Sequence, residues 1–254
     1  MSVQSTLQAA VSGTWMESPA RFLWKRILRR KSKNDIYDQL TERILRQTLR
    51  PDSNTVDIGC HAGAILDLIL EAAPRGTHEA FEPLPHLAAA LRRKYAAASN
   101  VRLHEVALSN AAGTATFHAN RDHPGMSGLE RRDYPSENDR VDLIEVRTER
   151  LDALLPPDRR IDFIKVDVEG AEALVFEGAR DCLRRHRPVV VFEHGTGSRR
   201  FYGIASDAVF DRLADAGLRV SSLQDYVQGG QSLTRAGMVR QVEDGLDFYF
   251  VAHP

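Results

Sequence analysis

Cysteine is nearly missing from this chain: Cys60 and Cys182 are the two thiols in 254 residues. One lies in a glycine turn and the other on a helical pattern, so no disulfide framework is expected, and a reducing, cytoplasmic setting fits. No apolar run reaches the roughly eighteen residues that a membrane-spanning helix needs, and there is no secretory leader pattern. Net charge is close to absent as well. The 34 basic and 35 acidic side chains leave −1 at neutral pH, which tells against a general affinity for nucleic acid. Internal repeats and low-complexity tracts are lacking, so solenoids and biased arms are set aside. Also missing is the G-x-G-x-x-G turn with which dinucleotide folds wrap a pyrophosphate. A nicotinamide-dependent oxidoreductase is therefore the weakest of the enzyme readings.

What is present is an alternation of strand and helix patterns, without a linker, from Val56 to Ala179. That order predicts one α/β unit with an N-terminal extension. Its most informative stretch runs from Ile161 to Glu172. Ile161, Phe163, Ile164, Val166 and Val168 read as a strand, which ends in Asp167 and Glu169, then Gly170, then a helical pattern through Leu174, Val175, Ala179 and Leu183. A strand that ends in acids and turns into a helix builds a polar site at the carboxyl edge of a parallel sheet, where open α/β folds bind ligands. A carboxylate closing so apolar a run is partly buried and needs a partner, which singles out Asp167. Glu172 reads instead as an acid capping the following helix.

Upstream, Asn54–Ile58 followed by Gly59-Cys60-His61-Ala62-Gly63 is a strand and a glycine turn, with a helix starting near Ala64. The glycines are spaced G-x-x-x-G, with Asp57 at the strand end in place of anything that would favour phosphate. An acid there suits a cationic ligand, and S-adenosylmethionine carries both a sulfonium and an amino group. His61, inside the turn, reads as a cofactor contact. The next strand, Thr77–Phe81, ends in Glu82-Pro83. Glu82 follows the glycines by about twenty residues, the distance at which an acid accepts hydrogen bonds from ribose hydroxyls. Val101–Asn110 reads as a third strand, ending in small residues beside which an adenine ring can lie.

These residues resemble a known family. Asp57-Ile58-Gly59, Phe81-Glu82-Pro83, Ala107-Leu108-Ser109 and Ile164-Lys165-Val166-Asp167-Val168-Glu169-Gly170-Ala171-Glu172 occur in the order and spacing of FkbM-type methyltransferases. The resemblance covers residues 35–254, and the Lys-x-Asp-x-Glu-Gly-x-Glu run is its most specific element. It implies a class I Rossmann-like α/β fold: a seven-stranded, mostly parallel sheet with one antiparallel strand and helices on both faces. It also implies S-adenosylmethionine as cofactor, held by Asp57, Gly59, His61, Gly63, Glu82, Pro83, Ala107, Leu108, Ser109 and Asp167. The reaction implied is methylation of a hydroxyl on a sugar, glycolipid or natural product. A non-catalytic cofactor-binding protein of the same fold and an N-methyltransferase acting on a small amine are the alternatives. A weaker match at Met126-Ser127-Gly128-Leu129 departs from the family's Ser-Ser-Leu turn at Gly128.

For the remaining elements, the pattern predicts helices over 35–50, 64–73, 85–98, 170–186 and 206–216. It predicts further strands at Pro188–His194, Leu218–Leu223 and Phe248–Ala252. In the first helix Ile36, Tyr37, Leu40 and Ile44 share one face. Residues 119–140 and 225–245 lack periodicity; each reads either as a loop over the cleft or as a surface insertion.

An alcohol attacks a sulfonium methyl poorly unless a base takes its proton, and histidine suits that task near neutral pH. Of the nine histidines, His194 is the best placed, closing the strand after the Asp167 strand and preceding Gly195-Thr196-Gly197. A second mechanism would use Asp167, Glu169, Glu193 and His194 as ligands of one divalent ion, Mg²⁺ or Mn²⁺, that acidifies the substrate hydroxyl. The spacing does not demand it. In residues 1–34, Leu23, Trp24, Ile27 and Leu28 oppose Arg21, Lys25, Arg26, Arg29 and Arg30 on a helix. Such a segment, over 15–33, either lies on an anionic membrane surface or packs on the domain or on a second subunit of a homodimer. The latter is the commoner arrangement.

Overall fold

The computed structural model describes residues 32–205 and 207–254. The basic segment carrying Arg21 to Arg30 and both tryptophans falls outside them. The first described helix, Lys33–Thr48, opens with a reciprocal cap: Asp35 N–H donates to Ser32 Oγ and Ser32 N–H to Asp35 Oδ2, at 3.1 and 2.8 Å. This satisfies two end amides that the helix itself cannot. Tyr37, Thr41, Ile44 and Leu45 are its buried residues, whereas Ile36 is exposed. The apolar stripe is therefore turned by about one residue from the predicted face. Tyr37–Pro254 forms one compact unit.

In chain order the strands are β1 (Thr55–Ile58), β2 (His78–Phe81), β3 (Val101–His104), β4 (Ala107–Leu108), β5 (Gly113–Asn120), β6 (Val141–Glu149), β7 (Phe163–Val166), β8 (Val189–Glu193), β9 (Arg219–Ser222) and β10 (Tyr249–His253). Seven of them form one sheet, in the order β3-β2-β1-β7-β8-β10-β9. All neighbours are parallel except β10, which runs antiparallel to both β8 and β9. This is the predicted sheet, including the single inserted antiparallel strand. Every residue of β1, β2 and β7 is buried, as in parallel strands covered on both faces. Alternation along β7 divides the core in two. Ile164 and Val166 join a cluster with Val175, Leu213 and Met238, while Phe163 joins Ile44, Leu66 and Leu91 on the other side.

Four predicted elements differ. The single strand expected over Val101–Asn110 is two strands, because the chain leaves the large sheet after His104. Ala107 and Leu108 then pair with Thr148 and Glu149 of β6. Together with β5 these make a second sheet, β4-β6-β5, that the sequence reading did not contain. The helix expected over 170–186 is broken at Ala179 into Glu172–Gly178 and Arg180–His186. The second piece is capped by the Asp152 carboxylate, which accepts the N–H groups of Asp181 and Cys182, each at 2.9 Å. The helix expected over 85–98 ends at Lys94. The stretch 225–245 is mostly helical, with Leu223–Gln228 and Arg235–Glu243. Its Gly229-Gly230 lies beside Arg219 and His253, at the sheet edge opposite the strand ends that carry the acids. That overturns its reading as a cleft cover.

The break at Ala179 has a steric partner. A Cβ on Gly178 would sit 2.0 Å from the carbonyl oxygen of Ser109, so this glycine lets the helix touch the loop after β4. Gly178→Ala should lower the unfolding free energy by about 1–3 kcal/mol, the usual range for overpacking. Denaturant titration measures it, and an unchanged midpoint would contradict the contact.

Candidate active site

Because β1, β2, β7 and β8 are parallel, their carboxyl ends lie along one edge. The strand order reverses between β1 and β7, the position at which such sheets open a crevice. Gly59 and Cys60 donate to the Phe81 carbonyl at 2.9 and 3.1 Å, and Asp167 N–H donates to Ile58 O at 3.0 Å, so the loops continue the ladder past the strands. Gly59 has φ 75°, and a Cβ there would meet the Asp167 carbonyl oxygen at 1.9 Å. Only glycine permits both the turn and the contact. Gly63, also left-handed at φ 78°, caps the next helix.

A cavity of about 230 Å³ opens at this edge. Gly59, His61, Glu82 and Pro83 line one side, Asp167 and Glu169 another. Val106, Ala107, Leu108 and Phe117 supply an apolar wall. Glu82 is almost fully buried; its two oxygens accept the N–H groups of His61 and Leu84, each at 2.9 Å. The His61 backbone, at φ 47°, thus orders the acid while its ring stays exposed. A carboxylate offers about four acceptor positions, so Glu82 keeps one on each oxygen for a ligand.

Behind it lies Asp57, 1% exposed, whose Oδ2 has no hydrogen-bond partner. Burial, reinforced by the charges of Asp167 and Glu82 and opposed by Lys165, pushes its carboxyl up to about 7. An unpaired buried carboxylate is costly unless a cation or donor reaches it.

Asp167 is differently placed. Its Oδ2 accepts from Lys165 Nζ at 3.0 Å and from the Tyr249 hydroxyl at 2.9 Å. Burial and the charges of Asp167 and Glu193 hold the Tyr249 phenol far above its ordinary value, so it stays a donor. Glu193 is itself raised by burial and by Asp167. Glu169, at φ 55°, forms an ion pair with Arg132. Arg132 belongs to the segment between β5 and β6, which also brings Pro124, Gly125, Ser127 and Leu129 to the cavity. Ser127 Oγ accepts the Asn120 N–H at 3.0 Å, and Gly128 passes close to Glu169 and to the Tyr202 hydroxyl. Of the two readings of 119–140, the geometry favours the loop over the cleft.

Beyond Glu169, His194 and Glu172 are buried together, each about 1% exposed, with His194 Nδ1 3.1 Å from Glu172 Oε2. Glu172 stands in the first turn of its helix, as expected of a capping acid, and accepts the Gly170 N–H at 2.8 Å, but it is buried against His194.

The family model for the methyltransferase FkbM domain matches residues 57–220, which span β1 to β9 and every acid just described. The chain belongs to this family. A 2-O-methyltransferase, NoeI, from Sinorhizobium fredii is 34% identical over 150 residues, covering 54% of this chain and 62% of that protein. The AMB antimetabolite synthetase AmbE of Pseudomonas aeruginosa is 27% identical over 248 residues, covering 80% of this chain and 11% of that protein. The chain thus matches under two thirds of the length of both relatives. Among solved structures, methyltransferase FkbM from Methylobacillus flagellatus is 17% identical, with 81% of this chain and 44% of that chain covered and a TM-score of 0.44.

FkbM membership implies S-adenosylmethionine, and the residues fit it: an orphaned buried carboxylate for a cationic group, Glu82 for ribose hydroxyls, and an apolar wall for a base. Of the predicted cofactor residues, Gly59, His61, Glu82, Pro83, Ala107, Leu108 and Asp167 line the cavity. Asp57 lies behind the wall. Gly63 serves as a helix cap, and Ser109 turns its carbonyl toward Gly178. Neither His194 nor Glu193 lines the cavity. Among the described residues no three His, Cys, Asp or Glu are grouped to hold a metal. The donors of the metal-based mechanism are instead engaged by Lys165, Tyr249, Arg132 and Glu172. Sequence reasoning assigned no role to Arg132, Tyr249 or Lys165, although Lys165 stands within the most specific motif. No described helix is long and apolar enough to cross a membrane.

A cationic ligand binds ionised Asp57 better than neutral Asp57. With its carboxyl raised to about 7, the site must release a proton to bind below that pH. The affinity for S-adenosylmethionine should therefore fall as pH drops from about 7 to 6, by at most about tenfold per unit. Calorimetry in buffers of different ionisation enthalpy should show proton release in this range, and Asp57→Asn should abolish it.

Proposed function

We propose that this protein transfers the methyl group of S-adenosylmethionine to a hydroxyl of a sugar-like or natural-product acceptor, with His194 as general base. The observation that carries the base is His194 Nε2, buried and without a hydrogen-bond partner at the end of β8; it lies outside the cavity lining, so an acceptor reaches it only when the surrounding loops part. Buried polar atoms are nearly always satisfied, and an acceptor hydroxyl is a donor of the kind this nitrogen lacks. The 2-O-methyltransferase name of the Sinorhizobium relative agrees with an oxygen acceptor.

Glu82 and Asp57 hold the ribose and amino-acid ends of the donor. Val106, Leu108 and Phe117 give its base an apolar wall. When bound, S-adenosylmethionine supplies a methyl carbon on a sulfonium, which passes to the acceptor oxygen as the carbon–sulfur bond breaks. His194 Nε2 takes the hydroxyl proton, so an oxygen without appreciable acidity becomes a competent nucleophile. Positioning supplies much of the remaining rate. The carboxylates Asp167 and Glu169, which line the cavity, suit an uncharged, hydroxyl-rich acceptor better than an anionic one, since they accept hydrogen bonds from hydroxyl groups and repel phosphate.

Labelled methyl transfer onto a panel of nitrophenyl glycosides and hydroxylated peptides tests this reading. Transfer to amines alone, or to no member of the panel, would overturn it. His194→Ala should lower turnover by about 10²–10⁴-fold while leaving cofactor affinity nearly unchanged, and dialysis against EDTA should leave the wild-type rate intact. Glu82→Ala removes charge-assisted hydrogen bonds of about 1.5–3 kcal/mol and should weaken cofactor binding roughly ten- to a hundredfold. Because Glu82 also anchors the turn at His61, Glu82→Gln is the cleaner comparison. Full affinity in both variants would remove Glu82 from the ribose site.

A further inference from the structure

The environment of His194 assigns a role to a residue outside the cavity wall. Glu172 Oε1 accepts the Gly170 N–H at 2.8 Å, and Oε2 lies 3.1 Å from His194 Nδ1. The histidine backbone is fixed as well, its N–H donating to Phe248 O at 2.7 Å. If Glu172 Oε2 accepts from Nδ1, the neutral ring is left with Nε2 as its acceptor. That atom is the one found buried without a partner.

We propose that Glu172 is the positioning residue of the reaction, acting only through His194. Resting on the reading of His194 as base, it fixes the Nδ1–H tautomer and the ring plane, and it stabilises the imidazolium formed when the acceptor proton arrives at Nε2. Its anchor matters to this. Gly170 belongs to the loop that also carries Asp167 and Glu169, so the carboxylate orienting the base is tied to the loop that lines the cavity. A shift of that loop moves both together.

Two measurements on the full chain test the assignment. Long-range proton–nitrogen spectra of the ¹⁵N-labelled protein, with the His194 signals identified by their loss in His194→Ala, should show Nδ1 protonated and Nε2 bare. In Glu172→Gln, whose amide can either donate to Nδ1 or accept from it, that preference should be lost. On the glycoside that the wild type methylates, Glu172→Gln should lower kcat by about a hundredfold or more, with acceptor KM and cofactor Kd nearly unchanged. A merely structural pair would lower Tm and leave kcat alone. A protonated Nε2 in the wild type, or normal kcat in Glu172→Gln beside an inactive His194→Ala, would overturn the role of Glu172 and leave the base standing. Normal kcat in His194→Ala would remove the base itself. If Glu172→Gln fails to fold, the wild-type spectrum still decides the tautomer.

Discussion

The backbone of Gly59 lies against the carbonyl of Asp167, so close that a Cβ would fall 1.9 Å from that oxygen. Two loops that are more than a hundred positions apart in sequence are thereby locked edge to edge. The lock is continuous with the sheet, because Asp167 N–H still bonds to Ile58 O after both strands have formally ended. On one side of it stand Asp57 and, through the His61 amide, Glu82. On the other stand Asp167, Glu169 and, through the Gly170 amide, Glu172. Any side chain at Gly59 would part the loops and separate the two groups of acids, even with every acid still present. The site depends first on a steric allowance and only then on its charges.

Those charges are expensive. Asp57, Glu82, Asp167 and Glu193 share the end of one sheet with Lys165 and, toward Glu193, Arg132 as nearby cations, and burial raises three of the four carboxyls above their ordinary range. Stability alone would favour apolar side chains here, since an unpaired buried carboxylate costs several kcal/mol. The arrangement makes sense if a ligand completes it. A sulfonium and an ammonium group bring the missing positive charge, and ribose hydroxyls bring the missing donors.

The sequence was legible where one residue type answers one physical need. Apolar strands ending in acids, and glycines where φ turns positive, identified β1, β2, β7 and β8 and the acids of the cavity wall. The sheet β4-β6-β5 was not legible. β5 runs Gly-Thr-Ala-Thr-Phe-His-Ala-Asn, and only Phe117 and Asn120 are buried, so little alternation marks it as a strand. The contact of Glu172 with His194 was not legible, because an acid in the first turn of a helix looks the same whether it only caps the helix or also faces inward. Arg132 was unreadable for another reason. It stands among Arg131, Asp133 and Glu130 in a polar stretch, and only the fold selects which of these charges meets Glu169.

Asp57 and Asp167 show how far environment divides residues of one type. Both follow apolar strands and both end at the same sheet edge. Asp167 has an ammonium and a phenol on one oxygen, at 3.0 and 2.9 Å, so that oxygen is satisfied without a ligand. Asp57 is fully enclosed, lacks a partner on Oδ2 and has its carboxyl pushed up to about 7. Asp167 holds Lys165 and Tyr249 in place. Asp57 keeps an oxygen without a donor, which a cationic ligand would complete. Here the division follows from which strand neighbour supplies a cation: Lys165, two residues before Asp167, on the strand that Asp167 closes.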